Sequence, residues 1–405
     1  MRRPASGLNC LCPLEKRNKE RASMAQSRRW KAVSTILLLL ATLAGCTGAP
    51  RFKGEVVVYV AAPLSGFQAN GGQTVVGGAR LRAHEINQKG GLLGYRVQVV
   101  GIDDESDSDV AVEVAQEIKE KVQAGGERVI AVLGHYNSGQ TLAAMEIYKD
   151  LPLVVITPMS SNVALTQKGY TRFFRVIGTD EAQGRVDAEF LVRQLGARRI
   201  AVVHADNEYA RGLRDEVVKS LRALGQEPAL VVEIKEAADT QMPAVQKVKA
   251  ANPDAVFLAG YETEGYVFVP ELREAGVEVP VLVSDGCFLA AYIDESRGLA
   301  EGTYVSAFTP SHKVVTDAAW VKAYQEVEYR NPDTYSIAGY AAMQVLEAGV
   351  QKAGTFDADR VAEAIRTVTV DTPAGRMEYD AKGDLREQRI FIFQVRDDEF
   401  VQVYP

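Results

Sequence analysis

Val129-Ile130-Ala131-Val132-Leu133 runs directly into Gly134-His135-Tyr136-Asn137-Ser138-Gly139. The first five residues are apolar on both faces of an extended chain, a pattern that fits a parallel strand covered by helices on each side. The next six supply a turn and a hydroxyl of the kind that opens a helix. The same unit recurs on either side. Upstream, residues 55–60 (Glu-Val-Val-Val-Tyr-Val) read as a buried strand. Residues 72–89 read as a helix, with Val76, Ala79, Ala83 and Ile86 at spacings of three and four, and Gly90-Gly91 stops it. A second strand is predicted over 95–101, then a helix capped by Asp109 with Ala111, Val114, Ile118 and Val122 on its inner face. Downstream, strands are predicted at 153–157, 199–204, 229–234, 254–259 and 281–284. Helices are predicted at 139–149, 181–195, 209–224, 240–250 and 264–275, then at 316–329 and 335–352, before short strands between 376 and 404. Alternating β and α units imply an α/β fold with doubly wound parallel sheets. The strands are too many for one comfortable open sheet, so two lobes are expected.

Hydrophobic residues make up 47% of the 405 and charged residues 24%, as in a globular protein with substantial cores. The net charge of -7 is unevenly spread. Before Cys46, nine Lys/Arg face only Glu15 and Glu20, giving that segment +7 and leaving -14 for the rest. An acidic body argues against nucleic acid as a partner. Arg28, Arg29 and Lys31 precede an apolar run over 32–44 that is too short to span a bilayer but fits the centre of a secretory signal. It ends in Leu43-Ala44-Gly45-Cys46, which resembles the bacterial lipoprotein cleavage box. That resemblance makes 1–45 a signal peptide and 46–54 a lipidated cysteine and linker; the unusually long basic leader in front of the signal points to a start at Met24. The expected location is outside the cytoplasm, with a lipid anchor at Cys46. With Cys10 and Cys12 removed, Cys287 has no partner, so no disulfide scaffold follows.

In open α/β sheets ligands bind beyond the carboxyl ends of the strands. After Leu133, Ser138 falls at the cap of the next helix, where its hydroxyl and the free N–H groups behind it form a small anion site; an ordinary cap is the plainer reading. After Thr157 come Ser160, Ser161 and Asn162, which together with Ser138 suit a carboxylate. After Ala259 comes Tyr261, and after Ser284 comes Asp285, a ring and an acid that suit an ammonium. Glu262 and Glu264 read as solvated acids at a helix start. Opposed in this way, the residues match an α-amino acid zwitterion.

Enzyme motifs are missing. There is no phosphate-binding Gly-x-x-x-x-Gly-Lys-Ser/Thr loop, no Gly-x-Gly-x-x-Gly after the first strand, no Gly-x-Ser-x-Gly elbow and no His-Glu-x-x-His. The acids at 103, 104, 105, 107 and 109 lack the turn glycine of a calcium loop and read as a solvated loop and cap. The four His and four Cys have no zinc-ligand spacing, and no cofactor is expected.

Several stretches recur in a particular order: Pro63-Leu64-Ser65-Gly66, Ile86-Asn87-Gln88-Lys89-Gly90-Gly91, Gly134-His135, Ile156-Thr157-Pro158, Gly178-Thr179-Asp180, and Asp380-Ala381-Lys382-Gly383-Asp384-Leu385. From Val56 to about Phe400 this order resembles the periplasmic branched-chain amino-acid-binding proteins, the type I solute-binding proteins of ABC importers. The resemblance implies two lobes joined by three crossovers, near Gly178, Phe308 and Asp371. The lobes would be 55–178 with 309–371, and 179–308 with 372–405. It implies that Ser138 and Ser161 bind the ligand carboxylate and that Tyr209, Tyr261 and Asp285 surround its ammonium. Tyr335 would form an aromatic wall of the side-chain pocket, with Tyr136 lying beside Ser138. The implied partners are leucine, isoleucine or valine and the permease subunits of an ABC importer.

This chain departs from the pattern at three places. Asp285 stands where the best-known members have Glu, Gly71 where they have an aromatic residue, and Ser106 and Asn137 where some have a disulfide. The alternative on the same fold is a receptor for an amide, urea or similar neutral solute, for which the anionic Asp285 would be superfluous.

Overall fold

Strand β1 (Glu55–Ala62) carries the rule of the whole molecule. Val56, Val58 and Val60 enter one core while Val57, Tyr59 and Ala61 enter another on the opposite face. A strand buried on both sides needs a helix on both sides, and the chain supplies them. This computed structural model describes residues 51–405. The signal segment, the start at Met24 and Cys46 lie outside the described residues. Residues Phe52–Pro405 form one compact unit.

The first lobe is a five-stranded sheet of β1, β2 (Arg96–Asp103), β3 (Val129–Gly134), β4 (Val154–Thr157) and β5 (Phe173–Arg175), in the order β2-β1-β3-β4-β5 and parallel throughout. The second lobe holds β6 (Ile200–Ala205), β7 (Leu230–Ile234), β8 (Ala255–Ala259), β9 (Val281–Val283) and β10 (Tyr304–Ala307), again parallel. A small antiparallel hairpin, β11 (Val370–Thr372) with β12 (Gly375–Met377), follows much later in the chain. The second sheet is then completed by β13 (Phe391–Arg396) and β14 (Glu399–Tyr404), which add an antiparallel edge. Its order is β14-β13-β10-β9-β8-β6-β7. The α/β expectation of two doubly wound lobes therefore stands. Strands β5 and β10 were not predicted, because three or four residues are too few to show a period.

After β10 the chain returns to the first lobe. Helix Ser336–Ala353 lies along helix Ala69–Gln88, and Gly78 and Gly339 let the two backbones touch. A Cβ at Gly78 would stand 2.8 Å from Tyr340 N, and one at Gly339 would stand 2.8 Å from the Val75 carbonyl carbon. Helix Ala358–Ile365 adds a further layer over β4.

The final passage to the second lobe lies later than Asp371. Tyr379 packs edge-on against Phe174 at 5.2 Å, Arg175 N donates to Gly383 O, and Asp384 pairs with Arg175 at 2.7 Å, so residues up to 384 belong to the first lobe. The chain reaches the second sheet only at Phe391. The buried cation at Arg175 draws the acid at 384 to it, an attraction that the hydropathy pattern does not register.

Candidate functional site

The first wall of the interlobe cleft is built where β3 and β4 end. Asn137 is extended and stands at the N-cap position of helix Ser138–Tyr148, one residue before the predicted cap, so Ser138 is the first helical residue. Its hydroxyl accepts from Asn162 N at 3.3 Å. Ser160 directs its hydroxyl inward, to His135 O at 3.0 Å and Tyr136 O at 3.1 Å, beside Thr141 at 2.5 Å. The neighbouring Ser161 hydroxyl is buried and faces the Asp180 carboxyl without a hydrogen bond of good geometry among the described residues. Beneath them the fully buried Arg175 donates to the carbonyls of Ser160 (3.1 Å) and Asn162 (3.2 Å). That cation holds the loop from the inside.

The β3 end is pinned from a second side. His135 Nδ1 lies 2.7 Å from Asp104 and its Nε2 3.1 Å from the Tyr148 hydroxyl, all buried. Asp104 is therefore no solvated loop acid. The helix that follows is capped by Asp107, which accepts from the backbone of Asp109 and Val110, so the cap lies two residues before the predicted one. At the positions of the missing disulfide, Asn137 donates to Ser106 at 3.4 Å and to Gln68 at 2.7 Å, and Ser106 donates to Gln68 at 2.7 Å. A hydrogen-bonded triangle thus joins the same two loops. Among the described residues no group of His, Cys, Asp and Glu is arranged to hold a metal.

The second wall comes from β6, β8 and β9. Asn207 caps helix Glu208–Ala223 and accepts from Ala210 N, which places Tyr209 in the first turn, facing the cleft. Tyr261 caps helix Glu262–Glu274. The Tyr209 and Tyr261 rings stack at 5.1 Å with an 18° tilt. Asp285 opens a single helical turn after β9, where Tyr209 Oη donates to its carboxylate. Tyr335 Oη, from the first lobe, donates to the Asp285 carbonyl. Thr334 likewise donates to Phe288 O, and Asn162 Nδ2 to Glu208 O at 3.3 Å, so the walls are already in contact.

Burial raises the acids of this wall. The Asp285 carboxyl is pushed up to about 6, although the Tyr209 hydroxyl bonded to it acts the other way. Asp180 is pushed up to about 7, and Asp187 well above the ordinary carboxyl range, both by burial. Glu262 and Glu264 are only 2% and 1% exposed, which overturns their reading as solvated acids. Glu264 accepts from Tyr261 N and Ala237 N, each at 2.8 Å, and burial lifts it to about 7. Glu262 leaves one carboxylate oxygen without a partner among the described residues, and burial lifts it to about 8. A carboxyl without a cation beside it holds its proton more tightly the drier its surroundings.

Tyr136, Ser138, Tyr209, Tyr261, Asp285 and Tyr335 line one gap, together with Asn137, Met159 and Gly286. Ser161 lies directly behind, its backbone carbonyl accepting from Asp180 N at 3.0 Å. The gap is nearly closed, with a cavity volume of about 10 Å³, roughly the space of one water. Met159 and Gly286 were not singled out from the sequence; both flank residues that were, and position relative to strand ends could have found them. Asp180, Asp187 and Gln183 were missed too, because a helix-start acid and its neighbours look solvated in one dimension. A wider groove opens along the same seam, lined by Asn70, Asp294, His312, Asp333 and Phe400. It meets the site at Thr334 and Tyr335.

Residues 55–399 match the periplasmic binding protein family. The chain is 30% identical over 348 residues to an amino acid binding protein of Pseudomonas aeruginosa, covering 85% of this chain and 91% of that one. It is 29% identical over 361 residues to the leucine-, isoleucine-, valine-, threonine- and alanine-binding protein of the same organism, covering 88% and 94%. The structure of a leucine binding protein from Thermotoga maritima superposes with a TM-score of 0.77 at 25% identity, covering 86% of this chain and 97% of that one. These relatives are solute-binding proteins and not enzymes. With two lobes, a cleft between them and a match over nearly all the described residues, the chain belongs to the periplasmic binding protein family.

Proposed function

We propose that this protein captures a small aliphatic amino acid of the branched-chain class in its interlobe cleft and delivers it to an ABC importer. The observation that carries the reading is the opposition of two chemistries across one gap. Ser138 and Ser161 offer hydroxyls on one wall, and Asp285 with Tyr209 and Tyr261 offers a carboxylate and ring faces on the other. A carboxylate fits the first wall and an ammonium the second. The name of one Pseudomonas relative points to an amino acid, and that of the other to leucine, isoleucine, valine, threonine and alanine. Tyr136 and Tyr335, 5.9 Å apart, are the walls for the ligand side chain. Because the two sides of the cleft already touch, entry of ligand requires the lobes to part and close again. In this reading the chain is exported and held to the membrane surface through lipid on Cys46. Its permease partners meet it there.

The test is calorimetric titration of the protein after unfolding and refolding to strip bound ligand. Leucine, isoleucine, valine, other amino acids, acetamide and urea would be compared. Saturable binding of an aliphatic amino acid that disappears in Asp285→Ala supports the charge-pair mechanism. Binding of acetamide or urea alone would replace it with a neutral-solute receptor. Incorporation of labelled palmitate that survives Cys46→Ser would remove the anchor from the proposal.

A further inference from the structure

The helix Ala69–Gln88 passes behind Tyr136, a member of the gap lining, at Gly71, where a side chain has no room. A Cβ built there would run into the Tyr136 hydroxyl, with the Tyr136 Cζ at 3.0 Å and Leu289 Cδ1 at 3.3 Å. One small volume beside the gap is thus claimed from the β3 end, and the helix yields it. Tyr136 is 4% exposed and lines the gap, with its ring 5.9 Å from that of Tyr335. Its hydroxyl makes no hydrogen bond among the described residues, and burial among Glu262, Asp285 and Asp333 holds its proton firmly. It therefore stands as a neutral, unbonded hydroxyl on a ring that packing keeps in place.

We propose that Tyr136 is the specificity-determining residue of this site: by filling the space that Gly71 vacates, it shortens the side-chain pocket and selects amino acids with short side chains, such as alanine, threonine and valine, over leucine. This rests on the amino-acid reading of the cleft. The other walls do not offer the extra length. Tyr209 donates to the Asp285 carboxylate with Tyr261 stacked on it, and Tyr335 donates to the Asp285 carbonyl, so each is held by a contact that serves the charged end of the ligand. Met159, 8% exposed, is the flexible member of the lining, yet a thioether can adjust its shape only within the space that the tyrosines leave. Tyr136 is held by packing alone, so it is the wall whose size can change without disturbing the charged partners.

The experiment titrates the protein purified from the cell envelope and stripped of ligand with alanine, threonine, valine and leucine. The wild-type chain is expected to bind its best short ligand at least about ten-fold more tightly than leucine, the discrimination available from one or two misfitting methylenes. In Tyr136→Ala the order moves toward leucine by about the same factor. Tyr136→Leu, which keeps an apolar group in the core, serves if the alanine variant does not fold, and is expected to move in the same direction. Leucine as the tightest wild-type ligand, or an equal loss for all four ligands in both variants, overturns the size filter and leaves the amino-acid reading intact. No binding of any amino acid overturns both.

Discussion

On the first wall of the cleft, the hydroxyls of Thr141, Thr157 and Ser160 converge on one carbonyl, that of His135, and the Arg175 cation sits beneath. On the second, Asp180, Asp187, Asp285 and Glu262 lie buried with no Lys, Arg or His nitrogen within 4.0 Å among the described residues. The first wall has a cation among its own residues; among the described residues the second has only neutral donors, such as Tyr209 to Asp285 and Ser306 to Asp187, and no cation beside its acids. The first is a fixed platform that presents Ser138 and Ser161. On the second, burial disfavours the charged carboxylates, a cost that a ligand ammonium would relieve. A low local dielectric makes both arrangements consequential, since it strengthens completed hydrogen bonds and penalises unpaired charges.

The most disruptive way to break this contrast is to take the cation from the first wall. Arg175→Met leaves the carbonyls of Ser160 and Asn162 and the Asp384 carboxylate without their partner. Removing one member of a buried pair costs about 3–5 kcal/mol, read as a lowered midpoint in urea. The matching change on the second wall, Asp187→Asn, is expected to shift stability by less than about 1 kcal/mol at pH 7. Burial favours the protonated form of Asp187, and the Ser306 hydroxyl can still donate to an amide oxygen there, so an amide is a fair replacement. Equal losses for the two variants would show that the walls are built alike. Next in size is Asp285→Ala, which is expected to reduce amino-acid affinity at least about 100-fold with the fold retained. Retained affinity would move the ammonium site elsewhere on the wall.

Acidity separates the walls without any mutation. Asp180, Asp285, Glu262 and Glu264 hold their protons to about pH 7, 6, 8 and 7, whereas unfolded carboxyls release theirs near their model values of 3.8 and 4.5. Between those limits the folded chain binds more protons than the unfolded one. Its stability is therefore fully present below about pH 4 with respect to these groups, and is lost as pH rises toward about 8. Ligand affinity runs the other way. Below about pH 6 an ammonium must displace the proton of Asp285, so affinity should fall by up to about ten-fold per pH unit. Urea midpoints of the ligand-free protein that rise with pH from 5 to 8 would refute the picture of the second wall.

The features legible in the sequence are those set by short-range pattern. Two-faced apolar strands such as β1 and β3 announce helices on both sides, and Ser138, Tyr261 and Asp285 follow from the rule about strand ends. What the sequence hid depends on which neighbour a residue meets. Glu262 and Glu264 open a helix, as surface acids do, but the turn carrying Asp285 and Cys287 packs over them. Asp104 sits in an acidic run and differs from its neighbours only because His135 folds back onto it. Gly71 showed as a departure from the family pattern, and the ring that compensates for it lies 65 residues away in the chain.

The smallest and sharpest contrast lies within the first wall, between adjacent serines. Ser160 completes the platform and Ser161 does not take part in it. Ser160→Ala removes a hydroxyl that bonds two carbonyls and faces Thr141, so it should lower stability by about 1 kcal/mol, with affinity following only as far as the loop loosens. Ser161→Ala removes a buried hydroxyl that, among the described residues, faces only the Asp180 carboxyl, without a bond of good geometry, so stability should change little. If that hydroxyl meets the ligand carboxylate, affinity in the same variant should drop about ten-fold, as expected for one lost hydrogen bond to a charged group. The two measurements must then divide between the two residues, stability following Ser160 and affinity following Ser161. A Ser161→Ala protein that loses stability and keeps its affinity would make Ser161 part of the platform and leave Ser138 alone to receive the carboxylate.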